Sequence, residues 1–289
     1  MAGTPGSPRV AAVVVDYRSG DHLAACLRSL LAGGANEIAV VANYSADETA
    51  AVLVEAKLEA TIIDPKANLG YGTGANRGVA ALGASDYVLV ANPDLELHDG
   101  ALAGMVHVLE LNPSWALVGP TILDSSGKRY PSVRRFPSMI DAAGHAVLSI
   151  FSNDNPFSRR YRSPAAAEGE ETGVDWVSGA CMLIRREAFA EVGGFDERYF
   201  MFAEDMDICW RLGKAGWQVG VAPSAVVTHV EGVSRRSRPY AMLRAHHQSA
   251  LRFFITTHRG WRRLFMPLAA LALVFRLVAT SALAALGAR

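Results

Sequence analysis

Cysteine is scarce in this sequence of 289 residues: Cys26, Cys181 and Cys209 are widely spaced, with no Cys-x-x-Cys pair. An odd, scattered set argues against a disulfide framework or a structural zinc site and makes a reducing compartment the default. Net charge is missing too. Twenty-eight basic side chains cancel 28 acidic ones, so global charge says nothing about nucleic acid. There are no internal repeats, and no Lys-rich phosphate loop lies near the N-terminus. Residues 1–8 lack the apolar h-region of a signal peptide and read as a frayed, disordered end. Apolar side chains are what is plentiful, at 51% of residues, enough for a sizeable core.

Those apolar residues fall into a regular alternation. Val10–Asp16 is a continuous apolar run ending in a carboxylate, the pattern of a strand buried on both faces. Leu23, Leu27, Leu30 and Leu31 recur at helical spacing, and 38–42 reads as a second strand. Ser45 and Glu48 form a capping box for a helix through Ala56. A short strand at 61–64, a helix near 74–82 and a strand at Tyr87–Ala91 follow. Asp99 is placed to cap a helix carrying Leu102, Val106 and Leu109, and 116–119 makes a fifth strand. The alternation predicts an α/β fold with a mostly parallel central sheet covered on both sides. Ligands in such folds sit beyond the carboxyl ends of the strands. That rim carries Asp16, the 42–47 loop, the 68–76 loop and Asn92-Pro93-Asp94. Past Pro120 the pattern loosens. Residues 152–173 read as a mobile surface loop, 174–184 as a strand and 186–192 as a short helix. A helix over 204–215 is closed by Gly216. Two strands, 218–222 and 225–229, follow it.

Four features suggest chemistry. Asp94 ends a proline-fixed turn directly after a strand, a place suited to a divalent cation that neutralises a diphosphate leaving group. The plainer reading is a turn aspartate capping the next helix. Glu204-Asp205-x-Asp207 opens a helix after the aromatic run 199–202, where the dipole favours the anion. A general base must be ionised and within reach of its proton, and Asp205 is the better candidate; the plainer reading is a set of solvated first-turn acids. The glycine-rich run 68–78 fits the dinucleotide fingerprint at Gly70, Gly72 and Ala75, yet it follows the third strand rather than the first. Its alternative role is a backbone loop approaching a diphosphate or ribose, with Arg77 as a nearby cation. His229 closes the last strand and suits a metal ligand, a diphosphate contact or a structural histidine.

The C-terminal part is basic, then apolar. From His229 on, Glu231 is the sole acid, against a long series of arginines. A helix around Pro239–Thr257 puts Leu243, Leu251, Phe254 and Ile255 towards one side, with Arg244 and Arg252 beside them. Residues 264–286 are nearly all apolar, broken by Pro267 and Arg276. The length suits a membrane span of about 20 residues, but a central arginine costs roughly 2.5–3.5 kcal/mol. An in-plane or re-entrant membrane helix is the first reading, with a span or a soluble core helix as alternatives. The arginine series suits an anionic membrane surface or a lipid diphosphate better than nucleic acid.

Taken in order, 13–17, 43–47, 68–72, Asn92-Pro93-Asp94, 176–180, 193–197 and 202–207 resemble the inverting glycosyltransferases of family 2, which have the GT-A fold. The resemblance covers about residues 9–234, and Asn-Pro-Asp and Ser-Gly-Ala are similar to its rhamnosyltransferase branch. It implies a GT-A domain over 9–236 and a helical membrane-associated tail over 237–289. It also implies Asp205 as catalytic base, with Glu204 beside it, and Mg2+ or Mn2+ held at Asp94 and His229. Asp16 and Asp47 would hold the nucleoside, while Trp176, Ser178 and Gly179 lie where acceptor and donor sugar meet. Asn68, Gly70, Arg77 and Asn92 complete the expected substrate contacts. Asn92 stands where the family's metal motif begins with an acid, and Ala42 where an aspartate is common. The implied partners are a nucleotide-sugar donor such as dTDP-L-rhamnose and a polyprenyl-diphosphate-linked N-acetylglucosamine acceptor. The implied location is the cytoplasmic face of the cell membrane, peripheral or tail-anchored. A nicotinamide-dependent enzyme, a sugar nucleotidyltransferase and a non-catalytic carbohydrate-binding protein are the rivals.

Overall fold

Every residue of Val10–Asp16 is buried, because this strand lies inside a sheet covered on both faces. The computed structural model describes residues 8–136, 172–230 and 239–258, with single positions at 152, 155 and 156 and between 260 and 278. The first half runs β1 (Val10–Asp16), α1 (Asp21–Ala32), β2 (Glu37–Ala42), α2 (Ala46–Ala56), β3 (Thr61–Ile63), α3 (Tyr71–Ala81), β4 (Tyr87–Ala91), β5 (Leu95–Leu97), α4 (Ala101–Leu111) and β6 (Trp115–Leu123). The second adds β7 (Arg129–Tyr130), β8 (Val133–Arg134), β9 (Gly173–Val174), β10 (Trp176–Val177), β11 (Cys181–Arg185), α5 (Arg186–Glu191), α6 (Glu204–Lys214), β12 (Gln218–His229) and α7 (Pro239–Thr257).

Side chains alternate between the two faces of the sheet. Val10, Ala12 and Val14 enter a cluster with Leu23, Leu27 and Leu30 of α1 and Leu102, Met105 and Leu109 of α4. Ala11, Val13 and Val15 enter a second cluster with Val79 of α3, Met206 and Leu212 of α6, and Phe253 of α7. Each fully buried aliphatic side chain contributes on the order of 1.5–3 kcal/mol. Helix α3 lies very close to β1 because Gly78 faces it: a Cβ there would come within 2.3 Å of Val13. All three cysteines are buried and free, as their spacing suggests.

Strands β3, β2, β1 and β4 are parallel, as the alternation predicts. The sheet as a whole is mixed, which corrects the mostly parallel expectation. Its order is β3-β2-β1-β4-β11-β6-β12-β5, and β11 runs antiparallel to both β4 and β6. The cause is local. Ala180 accepts a hydrogen bond from the Asn92 N–H at the carboxyl end of β4, so the strand leaving that point must run back down the sheet. An apolar run carries no sign of its direction.

Other boundaries moved for similar reasons. The expected strand over 174–184 is three pieces, interrupted at Ser178-Gly179-Ala180. The two expected strands at 218–229 are one, β12, with a register shift between Ala222 and Val226. Short β5 is antiparallel to β12 and was not anticipated. Asp99 does not cap α4. Gly100 takes that place, in a left-handed conformation with φ of 75° and no side-chain bond. Ser45 does cap α2, accepting from the Glu48 N–H at 3.2 Å. Among the described residues no helix is long and apolar enough to cross a membrane. Most of the 152–173 loop and of the 264–286 segment, and Arg235, Arg236 and Arg238, lie outside the described residues.

Candidate active site

A cleft of about 780 Å³ opens at the carboxyl ends of β1 and β4. Val15, Tyr17, Asn43, Asn68, Gly70, Tyr71 and Asn92-Pro93-Asp94 supply one wall. Trp176, Ser178, Gly179, Ala180, residues 200–206 and His229 supply much of the rest. Helix α7 closes a side with Met242, His246 and Ala250, spaced one turn apart. It is tied down by the Ser249 hydroxyl, which donates to the Met201 carbonyl at 2.8 Å.

One end of the cleft is assembled by strand pairing. In the β5–β12 ladder Leu95 lies opposite His229, and the Val230 N–H donates to the Asp94 carbonyl at 2.9 Å. His229 Nε2 is thereby set 3.0 Å from Asp94 Oδ1 and 3.1 Å from Asn92 Nδ2. One imidazole nitrogen cannot donate to a carboxylate and accept from an amide at once. The other nitrogen, Nδ1, is buried with no partner in the protein. This donor set fits a divalent cation: a carboxylate oxygen and an imidazole nitrogen converge where one proton cannot serve both neighbours. No cluster of three or more His, Cys, Asp or Glu side chains among the described residues could hold a metal alone. An ion here would complete its shell with substrate phosphate oxygens and water, the usual habit of magnesium.

The other end is assembled by a strained turn. Phe202 and Ala203 both have positive φ, 69° and 62°. Left-handed conformations outside glycine cost of order 1–3 kcal/mol each and cluster at functional sites. Immediately after this pair α6 begins, with Glu204 and Asp205 turned into the cleft. Asp205 Oδ2 accepts from the Gly179 N–H at 2.9 Å and Oδ1 from the Met206 N–H at 2.8 Å. Gly179 is itself braced, since the Tyr71 hydroxyl donates to its carbonyl at 2.5 Å. Burial raises the Asp205 carboxyl above its ordinary value, against the pull of those N–H groups and of the Arg134 charge. Burial, and then the Asp205 charge, push Glu204 up to about 8, and Glu204 Oε2 has no partner in the protein. Asp207 goes elsewhere: it is fully buried and paired at 2.6 Å with Arg211 one turn along α6, and Arg211 Nη1 in turn donates to the Val192 carbonyl at 2.7 Å.

Gly70 joins the two ends. Its φ is 80°, and a Cβ there would lie 2.0 Å from the Phe200 carbonyl oxygen, which accepts from the Tyr71 N–H. Asn43 Nδ2 donates to the Gly70 carbonyl at 2.9 Å.

Of the residues singled out in the sequence, Asp205, Glu204, Asp94, His229, Asn92, Asn68, Gly70, Trp176, Ser178 and Gly179 all line this cleft. Asp16 does not. It is buried, and its carboxylate accepts from Ser19 and from Thr49, which locks the end of β1 to the turn before α1 and to α2. Asp47 on α2 and Arg77 on α3 are exposed and lie outside the lining. The sequence reading missed Arg134 and Tyr130, carried on two-residue strands too short to show a period. It also missed His246, whose ring meets Phe202 edge-on at 5.4 Å and which burial keeps neutral, pushed down to about 4. Asn43 and Tyr71 stood inside recognised motifs without an assigned role.

The chain matches the family model "Glycosyltransferase like family 2" over residues 8–249 and belongs to that family; it is a glycosyltransferase. It is 40% identical over 263 residues to N-acetylglucosaminyl-diphospho-decaprenol L-rhamnosyltransferase of Mycobacterium tuberculosis, covering 87% of this chain and 85% of that protein. It is 29% identical over 207 residues to rhamnosyltransferase WbbL of Escherichia coli K12, covering 67% of this chain and 75% of that one. The fold is of the GT-A type. Mannosyltransferase PcManGT from Pyrobaculum calidifontis, solved with GDP-Man and Mn2+, superposes with a TM-score of 0.60 at 17% identity, over 96% of this chain and 76% of that one. GalNAc-T7, solved with UDP, GalNAc and Mn2+, gives 0.57 at 15% identity, over 77% of this chain and 43% of that one.

Proposed function

We propose that this enzyme transfers L-rhamnose from dTDP-L-rhamnose to a polyprenyl-diphospho-N-acetylglucosamine acceptor by a single inverting displacement. One observation carries the chemistry: Gly179 fixes a half-buried carboxylate, Asp205, in the same cleft as Asp94 and His229. The similarity to the mycobacterial rhamnosyltransferase supports the choice of donor and acceptor.

Asp205 removes the proton of the acceptor hydroxyl as that oxygen attacks the anomeric carbon opposite the diphosphate. Desolvation strengthens it as a base, while the Gly179 and Met206 N–H groups keep the ionised carboxylate aligned. Asp94 and His229 would hold the divalent ion, magnesium or manganese. Bound there, such an ion neutralises the charge that builds on the departing diphosphate. Glu204, protonated near neutral pH, offers a hydroxyl donor to a substrate oxygen. Inversion of a β-linked donor gives an α-linked product. We place the reaction at the cytoplasmic face of the cell membrane. Leu264, Leu271, Val274 and Val278 are all exposed, the last three at helical spacing, which supports a tail lying in the interface.

The test is transfer to a polyprenyl-diphospho-N-acetylglucosamine with Mg2+ or Mn2+, offering dTDP-L-rhamnose and other nucleotide sugars in turn. Rhamnose transfer by the wild type that disappears in Asp205→Asn is the expected result. Transfer from a different nucleotide sugar alone overturns the rhamnose assignment and leaves the base in place.

A further inference from the structure

Arg134 is a cation in the cleft that the displacement does not use. It sits on β8, opposite Trp176 in the β8–β10 ladder, so its backbone position is set by a strand pair. Its guanidinium lies 5.3 Å from the Trp176 ring and 5.9 Å from the Tyr130 ring, and its Nε donates to the Pro131 carbonyl at 2.9 Å. Among the described residues no carboxylate forms an ion pair with it. Its charge bears on Asp205, but both Asp205 oxygens already accept from backbone N–H groups. The stem and one edge of Arg134 are therefore fixed by neutral partners, while the terminal amino groups keep their donors.

A guanidinium held at its stem in this way, with its terminal amino groups left to donate, is shaped for the parallel, bidentate capture of phosphate oxygens. Two diphosphates enter the reaction. The donor's departs at Asp94 and His229, where β12 ends. Arg134 instead lies at the Asp205 side, where the attacking hydroxyl is delivered, and in the acceptor a diphosphate is attached directly to the sugar bearing that hydroxyl. We infer that Arg134 is the anchor of a second phosphate subsite, which holds the acceptor's diphosphate beside the base. Arg276, from the C-terminal tail, lines the same cleft. The inference rests on the acceptor being a polyprenyl diphosphate and is independent of which sugar is transferred.

The probe is farnesyl diphosphate, titrated calorimetrically into the full chain with dTDP and Mg2+ saturating, so that the donor subsite is already filled. Arg134→Ala should weaken binding about tenfold or more. Arg134→Gln, which keeps the stem against Trp176, should do the same, and Arg134→Lys should recover part of the loss as a point charge without the fork. Affinity for dTDP, measured separately, should stay within about twofold. Unchanged farnesyl diphosphate binding in both neutral variants overturns the subsite, as does wild type binding farnesol as tightly as farnesyl diphosphate. A loss confined to dTDP affinity overturns it as well and assigns Arg134 to the donor. A wild type that binds farnesyl diphosphate through Arg134 but transfers no rhamnose overturns the sugar assignment and leaves the subsite standing.

Discussion

The two ends of the cleft use the same residue type in opposite ways. Asp94 is held by a β-ladder, next to an imidazole and an amide, in a polar setting where a cation can take the place of a shared proton. Asp205 follows two strained residues at a helix start, beside a second buried carboxyl and close to an arginine that does not bond to it. Surroundings separate the roles of the two acids: Asp94 converges on an imidazole as a ligand, and burial raises Asp205 as a group primed to take a proton. The difference also shows that positive-φ strain is spent at the base end, since the Asp94–His229 pair comes from strand pairing.

Four substitutions probe that division. Asp205→Asn should lower kcat by about 10²–10⁴-fold while leaving metal-dependent dTDP affinity unchanged, read by steady-state kinetics and calorimetry. If dTDP binding falls equally, the two ends do not act separately. Asp94→Ala should weaken metal-dependent dTDP binding by roughly 10–100-fold and leave the acid limb of the rate profile where it was. Tyr71→Phe removes the brace on Gly179, and a single hydrogen bond of about 0.5–1.5 kcal/mol corresponds to roughly a two- to tenfold loss in kcat. Because a looser Gly179 N–H stabilises the Asp205 carboxylate less, the acid limb should also move to higher pH; a loss of kcat with no such movement means Tyr71 acts elsewhere. Glu204→Gln is the mildest. With Glu204 raised from 4.5 to about 8, the folded state binds the extra proton across that window. The stability this gives is complete below 4.5 and lost as pH rises through 8. Thermal melting should therefore decline from pH 5 to pH 8 in the wild type and decline less in the variant. Equal slopes would mean that Glu204 is ionised in the cleft.

Much of this was legible in the residues. Buried strands announce themselves as short apolar runs, so β1 and β4 fall where the runs do, and Ser45 marks the start of α2 because its hydroxyl answers a free N–H. Gly70 and Gly179 belong to recognised motifs; a side chain has no room at Gly70, and a Cβ at Gly179 would press on Asp205 at 3.3 Å. What stayed hidden depends on long-range pairing. The backward run of β11, the existence of β5 and the arrival of Arg134 beside Asp205 are each decided by partners distant in sequence. Asp99 misled because a glycine able to adopt positive φ lies one residue nearer to α4.

Strand β12 carries one more consequence. Ala222 pairs with Pro120 and Val226 with Thr121, so extra residues loop out between two adjacent rungs of the ladder. Side chains in a strand alternate sides, so the parity of that insertion decides whether His229 or Thr228 faces Asp94. Inserting one residue between 222 and 226, with the rungs otherwise kept, would put Thr228 in the place of His229 without altering any residue in the cleft. The loop's length thus works as a reading frame for the active site, and its constraint is on counting rather than on chemistry.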